Sequence, residues 1–322
     1  MDFRTIGQKI YSQINQANNI LLIAHQQPDA DALGSLVVFS DWLTDLGKNH
    51  TKFCVDQPKS NLSWLVNFES LADNPSHLLK AEYDLVIVLD SGDLKYAGVA
   101  EILADFKTRP FIINIDHHAT NQYFGEINLV DPEAVSATEI IYKLFKSLKI
   151  KISRSMANAL LAGIIYDTYN FTNPNTNQQS LEIASHLLLA GAQLTQVSDL
   201  ILKTKTIDSL KIWGEILIRL SYNSHFNVVS TVITKRDLAG NLSEAGVAEG
   251  VANFLNNLTG VGAALILQEQ ELGMIKGSFR TNDDLIDVAK LAKILGGGGH
   301  RKAAGFKIKG RLVEKDGVWE VV

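Results

Sequence analysis

At 322 residues, with 46% hydrophobic and 20% charged residues, the chain has the composition of a folded globular protein and the length for two domains. A formal net charge of −5 excludes a protein that coats long duplex nucleic acid by neutralising its backbone, so a phosphate-bearing partner must be caught locally. One cysteine, Cys54, excludes an intramolecular disulfide, and no run reaches the ~18 apolar residues of a bilayer span, so the expected location is the cytoplasm, away from membranes.

Apolar spacing over residues 6–14 predicts a helix, broken at Asn18-Asn19 before a strand over residues 20–24. His25 stands at the end of that strand and opens H-Q-Q-P-D-A-D, which puts a histidine beside two carboxylates, Asp29 and Asp31. Pro28 stiffens the turn, and such a loop can aim the two aspartates at different ions with His25 beside Asp29. Imidazole mixed with carboxylate shifts the preference toward Mn²⁺, Fe²⁺, Co²⁺ or Zn²⁺ rather than Mg²⁺ alone. Read alone, Pro-Asp-Ala-Asp also serves as a cap for the next helix, expected over residues 32–46 and followed by a strand at 51–55.

Residues 85–89 and 111–115 are wholly apolar and rich in β-branched side chains, the pattern of buried parallel strands, with a helix expected around 99–106 between them. The first run ends in Asp90, placed to bridge two ions, while Asp93 is expected to cap the following turn. The second ends in Asp116-His117-His118. Adjacent side chains cannot all face one way, so one histidine is expected on metal and the other on a phosphoryl oxygen or leaving group, with Asp116 orienting an imidazole. Ligands of open α/β sheets gather beyond the carboxyl ends of the strands, so these groups should converge. Helices are expected over 134–148, 153–165, 177–190 and 194–203. Asp167 follows L-L-A-G-I-I-Y at a helix end, where an unpaired buried carboxylate is costly. A second ion is its expected partner, and a cap made with Thr168, Asn170 or Asn173 is the structural alternative. Two ions roughly 4 Å apart would polarise a phosphoryl group and acidify a water for in-line attack.

A connecting helix over 204–220 leads to a different texture, with strands expected at 226–234, 262–268 and 273–279 and helices at 242–255 and 285–295. The expected division is a catalytic domain over 1–195, a helical linker over 196–221 and a smaller α/β domain over 222–322, with substrate in the cleft between domains. Four consecutive glycines, 296–299, precede His300, Arg301 and Lys302; such a loop lets backbone N–H groups approach an anion. It lacks the G-K-[ST] ending of a Walker loop. Gly297, Gly298, Gly299, His300 and Arg301 are the expected contacts, and Arg280 the expected phosphate clamp, oriented by Ser278. The plainer readings are a tight connection and an exposed arginine after an edge strand.

H-Q-Q-P-D-A-D-A-L-G-S, L-D-S-G-D, D-H-H and G-I-I-Y-D-T resemble, in order, the signature blocks of the DHH phosphoesterase family. G-G-G-G-H-R-K-A-A-G-F resembles the hallmark of the DHH-associated C-terminal domain, and the likeness runs over about residues 15–310. It implies an α/β protein, a parallel-sheet domain with a second, smaller α/β domain. It also implies two Mn²⁺, with Mg²⁺ or Co²⁺ as substitutes, one on His25, Asp29 and Asp90 and the other on Asp31, Asp90, His117 and Asp167. His118 is implied to face substrate, so His118, Asp116 and Arg280 form the expected catalytic set, while the arginine and the glycine run hold the nucleotide. The nano-RNase and pAp phosphatase branch is the nearest likeness. It implies hydrolysis of very short oligoribonucleotides to nucleoside monophosphates, of pAp to AMP, and a homodimer. The chain departs from the family at Ala30 and at Tyr169-Asn170, where glycine is usual. The rivals are a phosphodiesterase for pApA or cyclic dinucleotides and, in another class, a non-catalytic nucleotide-binding protein.

Overall fold

The computed structural model describes residues 2–66, 68–202, 207–238, 244–256 and 258–322; the side chains of residues 68, 244–246, 248, 249, 253 and 300 lie outside this description. The chain divides into two compact units, Met1–Thr204 and Lys205–Val322. Among the described residues no helix is long and apolar enough to cross a membrane.

In the first unit, β1 (Asn19–Ala24), β2 (Asn49–Phe53), β3 (Leu71–Ala72), β4 (Leu85–Leu89), β5 (Phe111–Asp116) and β6 (Ile127–Val130) form a parallel sheet in the order β3-β2-β1-β4-β5-β6. Its helices are α1 (Phe3–Gln16), α2 (Ala30–Asp45), α3 (Pro75–Leu78), α4 (Ala100–Ala104), α5 (Ala137–Leu148), α6 (Arg154–Asp167), α7 (Gln178–Leu189) and α8 (Leu194–Leu202). Alternate residues of the central strands go to opposite faces. Ile20, Leu22, Leu85 and Ile87 enter the large core built with α1, α2 and α5 to α8, while Leu21, Ile23, Val86 and Val88 enter a smaller one with Leu78 of α3. Burial on both faces is why these strands read as continuous apolar runs. β3 and β6 were not foreseen, being edge strands of two and four residues.

The second unit opens with α9 (Ile207–Ile218) and continues through β7 (Ser221–Asn223), β8 (Val228–Ile233), α10 (Glu244–Leu255), β9 (Ala263–Gln270), β10 (Met274–Arg280), α11 (Val288–Ile294), β11 (Gly298–His300), β12 (Ala303–Lys309) and a hairpin of β13 (Leu312–Lys315) and β14 (Val318–Val321). The mixed sheet runs β11-β12-β10-β9-β8-β7, with β8 and β9 parallel and the other neighbours antiparallel. Val251 and Leu255 of α10 pack with Ala264 and Ile266, and Val288 and Ala292 of α11 with Phe279 and Phe306.

The segment 196–221, expected as a linker, divides between the two cores. Val197 and Ile201 of α8 are buried in the first, and Ile216 of α9 is fully buried in the second with Ile212, Trp213 and Leu217 against it. Its apolar spacing therefore serves packing rather than connection. Lys203, the expected end of α8, and residues 242 and 243, the expected start of α10, lie outside the described residues.

Candidate metal centre

The order of the first sheet makes β1 its switch point, because the chain proceeds from β1 to β2 on one side and resumes at β4 on the other. A crevice opens at the carboxyl ends of strands at such a point. His25 follows β1, Asp90 follows β4, and His117 and His118 follow β5. The start of α2 adds Asp29 and Asp31, and the last residue of α6 is Asp167.

The six side chains assigned to metal meet there. His25 Nδ1 lies 2.7 Å from the Gln26 carbonyl, which can only accept, so Nδ1 carries the hydrogen and Nε2 is left for a cation. Nε2 faces Asp90 Oδ2 at 3.4 Å and Asp29 Oδ2 at 3.9 Å. Asp29 is also the N-cap of α2: its Oδ1 accepts from the N–H groups of Asp31 and Ala32 at 2.9 and 3.1 Å. The capping oxygen is not the one that faces His25, so the two readings of this turn are compatible. His117 Nε2 stands 3.5 Å from Asp90 Oδ1 and 3.5 Å from Asp167 Oδ2. The sets His25, Asp29, Asp90 and Asp31, His117, Asp167 each bring their ligand atoms within 4.8 Å of one another. Asp90 lies between them.

Close helix packing makes this convergence possible. Gly34 of α2 faces the Ala159 carbonyl of α6, and Gly163 of α6 faces Asp31 Oδ1 and the Thr138 side chain, so a methyl at Gly163 would overlap the carboxylate. Asp31 is fully buried at the start of α5, where Oδ2 accepts from Ala137 N–H at 2.6 Å and Oδ1 from Thr138 N–H and Oγ1 at 3.0 and 2.6 Å. A helix N-terminus favours a carboxylate there. Thr138 was missed from sequence because it acts on a residue 107 positions away. Asp93 caps the turn after β4 as expected, accepting from Tyr96 N–H at 2.6 Å.

Burial pushes Asp31 and Asp167 well above the usual carboxylate range, and the charges of neighbouring aspartates add to it; Asp29 is raised for the same reasons. Asp90 goes the other way. Burial would raise it, but the bond to His25 and the charges of His25, His117 and His118 hold it at about 2. Burial would lower His25 and His118, yet Asp90 holds the first and Asp116 the second at about 9. Four carboxylates in one buried site need positive charge, and Asp90 Oδ1 is buried with no hydrogen-bond partner. That orphaned oxygen and the mixed His/Asp donors fit a pair of divalent cations.

The pocket around these ligands has a volume of about 250 Å³ and is also lined by Tyr96, His118, Val135 and Asn175. The Tyr96 ring stacks on His25 at 5.0 Å between centroids. His118 Nδ1 lies 2.7 Å from Asp116 Oδ1. Tyr96 and Asn175 carried no sequence signal that separates them from ordinary loop residues. The turn after Asp167 keeps Tyr169, Asn170 and Phe171 left-handed, with φ of 48, 58 and 63°. This is a conformation that glycine adopts without strain. Asn173 Nδ2 donates to the Asp167 carbonyl rather than its carboxylate, so the cap leaves the side chain for metal.

The expected phosphate-binding groups lie in the second unit. Arg280, Ala303 and His300 form one row across β10, β12 and β11, and Ser278, Gly305 and Gly298 the next on the same face. Arg280 is in a central strand, not after an edge strand. The glycine run is likewise not all loop. Gly296 and Gly297 donate their N–H groups to the carbonyls of Lys293 and Ala292, closing α11, and β11 begins at Gly298. The N–H of Gly297 is thus engaged within the protein. A Cβ at Gly297 would overlap the β12 backbone, so glycine there permits close strand packing. Arg301 donates from Nη2 to the Asp284 carbonyl. The His300 side chain lies outside the described residues.

In the metal-free protein Asp29, Asp31 and Asp167 titrate above their unfolded value, so each stabilises fully below pH 3.8 and loses its contribution as pH rises through its folded pKa. His25 and His118, raised from 6.5 to about 9, lose theirs as pH rises through about 9. Asp90, held at about 2, loses its contribution only as pH falls through that value. The expected result is a melting temperature that falls from about pH 5 to 9 in chelator and flattens with Mn²⁺. At neutral pH, cation at a hundred times its Kd should raise the midpoint by roughly 5–10 °C. Differential scanning calorimetry checks both, and identical curves with and without Mn²⁺ would contradict cation binding.

The DHH family, N-terminal domain, matches residues 19–164, and the DHHA1 domain matches residues 227–317. The chain is 29% identical over 291 residues to the protein named bifunctional oligoribonuclease and PAP phosphatase NrnA of Thermus thermophilus, covering 90% of this chain and 84% of that protein. It is 28% identical over 305 residues to the protein of the same name in Bacillus subtilis, covering 92% and 91%. The fold is that of an exopolyphosphatase-related protein from Bacteroides fragilis, with a TM-score of 0.87 at 24% identity over 95% of this chain and 92% of that one. With the two family domains in order along the chain and the His/Asp clusters at the mouth of the first sheet, the chain belongs to the DHH family and is a phosphoester hydrolase with a DHHA1 domain.

Proposed function

We propose that this enzyme uses two Mn²⁺ to hydrolyse very short oligoribonucleotides to nucleoside monophosphates, and pAp to AMP. The observation that carries the reading is Asp90, a buried carboxylate with one oxygen toward His25 and the other toward His117. It supports assigning one cation to His25, Asp29 and Asp90 and the other to Asp31, Asp90, His117 and Asp167. Bound there, the cations would polarise the phosphoryl group and activate the attacking water. His118 contributes a donor at the rim of the pocket, its side chain 42% exposed with Asp116 behind it. Arg280 and Ser278 share a sheet face suited to a terminal phosphate. The NrnA-named relatives support the choice of substrates. A formal charge of −5 favours short substrates over long ones, and a homodimer is the proposed assembly.

The test is a side-by-side assay of pAp, pApA, di- to pentaribonucleotides, a cyclic dinucleotide and pyrophosphate with Mn²⁺. Turnover of pAp and the shortest ribonucleotides, with little on pyrophosphate, is expected. Activity confined to pyrophosphate or to the cyclic dinucleotide would overturn the substrate assignment.

A further inference from the structure

A buried polar chain leads away from the metal ligands to the back of His118. Asn114 sits mid-strand in β5, fully buried, between apolar neighbours. Its Nδ2 donates to the Ser91 carbonyl at 3.1 Å, and its Oδ1 accepts from Asn121 Nδ2 at 2.7 Å. Asn121 is 8% exposed, and the same Nδ2 reaches Asp116 Oδ2 at 2.6 Å and the Ser91 carbonyl at 3.3 Å. Its Oδ1 accepts from Tyr123 N–H at 2.7 Å. Three oxygens around Nδ2 and an N–H on Oδ1 leave one orientation for the amide. Asp116, with no exposed surface, therefore binds Asn121 through one oxygen and His118 Nδ1 through the other, at 2.7 Å. His118 Nδ1 also lies 3.7 Å from Asp90 Oδ1, farther than the Asp116 carboxylate.

Two buried amides are costly unless fully paired, and an apolar pair would fill the same space without that requirement. What the amides add is a fixed carboxylate. Without the donor on Asn121, Asp116 could turn about its last torsion and leave the imidazole unguided. We propose that Asn121, held by Asn114 and Ser91, is a positioning residue for hydrolysis: it clamps Asp116 so that His118 keeps a hydrogen on Nδ1 and presents Nε2 to substrate. The proposal rests on the reading of His118 as the substrate-facing histidine.

The experiment joins a kinetic cycle to a readout that needs no turnover. Asn121→Ala should lower kcat about 10–100-fold with KM changed less than about twofold, the scale of losses when an orienting partner is removed. In a His118→Gln background the same substitution should cost less than about threefold, because what it positions is already gone. In Mg²⁺-loaded protein with ¹⁵N-labelled histidine, the Nδ1–H resonance that His118→Gln removes should be exchange-protected in wild type and lost in Asn121→Ala. Equal losses in both backgrounds, or a retained Nδ1–H signal, would overturn the proposal. If Asn121→Ala does not fold, Asn114→Ala, which keeps the Asp116 bond but loosens Asn121, decides by the same two readouts. If the wild type turns over none of the phosphoesters, the functional reading fails, and the imidazole signal alone decides the clamp.

Discussion

Asp90→Asn is expected to lower turnover of a diribonucleotide roughly 10³–10⁵-fold with an unchanged circular dichroism spectrum. Asparagine keeps the size of the side chain and tolerates the left-handed backbone at this position, where φ is 57°. It removes the charge that faces both His25 Nε2 and His117 Nε2. Because the carboxylate lies between the two ligand sets, both cations should weaken together. Calorimetric titration with Mn²⁺ separates this from a local defect, which would lose one site and keep the other. Near-normal kcat in the variant would remove Asp90 from the centre of the reaction.

Gly163→Ala is expected to damage the same site to a smaller degree, although it changes no ligand. Alanine in a helix interior normally stabilises by about 1 kcal/mol over glycine. Here the added methyl would overlap Asp31 Oδ1 and Thr138 Oγ1, both in a buried region with no room to retreat. Overpacking of this kind costs typically 1–3 kcal/mol, and the displaced carboxylate should lower cation affinity and turnover by roughly 100-fold. Gly214→Ala is the control: it lies in α9 with nothing near its missing Cβ, so it should stabilise by about 0.5–1 kcal/mol. Thermal unfolding and Mn²⁺ titration of both variants distinguish packing from propensity. A Gly163→Ala protein with wild-type affinity would show that α2 and α6 can separate without disturbing Asp31.

What could be read from the sequence follows how local each signal is. β1, β4 and β5 were legible because both faces are buried, and the polar residues that end those runs meet in clusters that could hold a metal ion. Asp29, Asp31 and Asp167 stood out as carboxylates beside apolar segments. The edges were harder. β6 has four residues and only half its side chains buried, so it offers neither a long run nor a full alternation. The β13–β14 hairpin did carry a signal, an Asp316-Gly317 turn between alternating residues, with φ of 51 and 78°. The glycine run was read as loop because composition cannot show that β12 lies against it. Thr138, Asn114 and Asn121 were silent for a different reason: their meaning depends on partners supplied by the fold.

The two oxygens of Asp29 serve different masters, one the first turn of α2 and the other the group of side chains around His25 that we propose holds a cation. Rotation of that carboxylate cannot loosen one without disturbing the other. A cation held there would therefore leave as the start of α2 frays, and a local opening that is harmless elsewhere in the sheet would be its exit route.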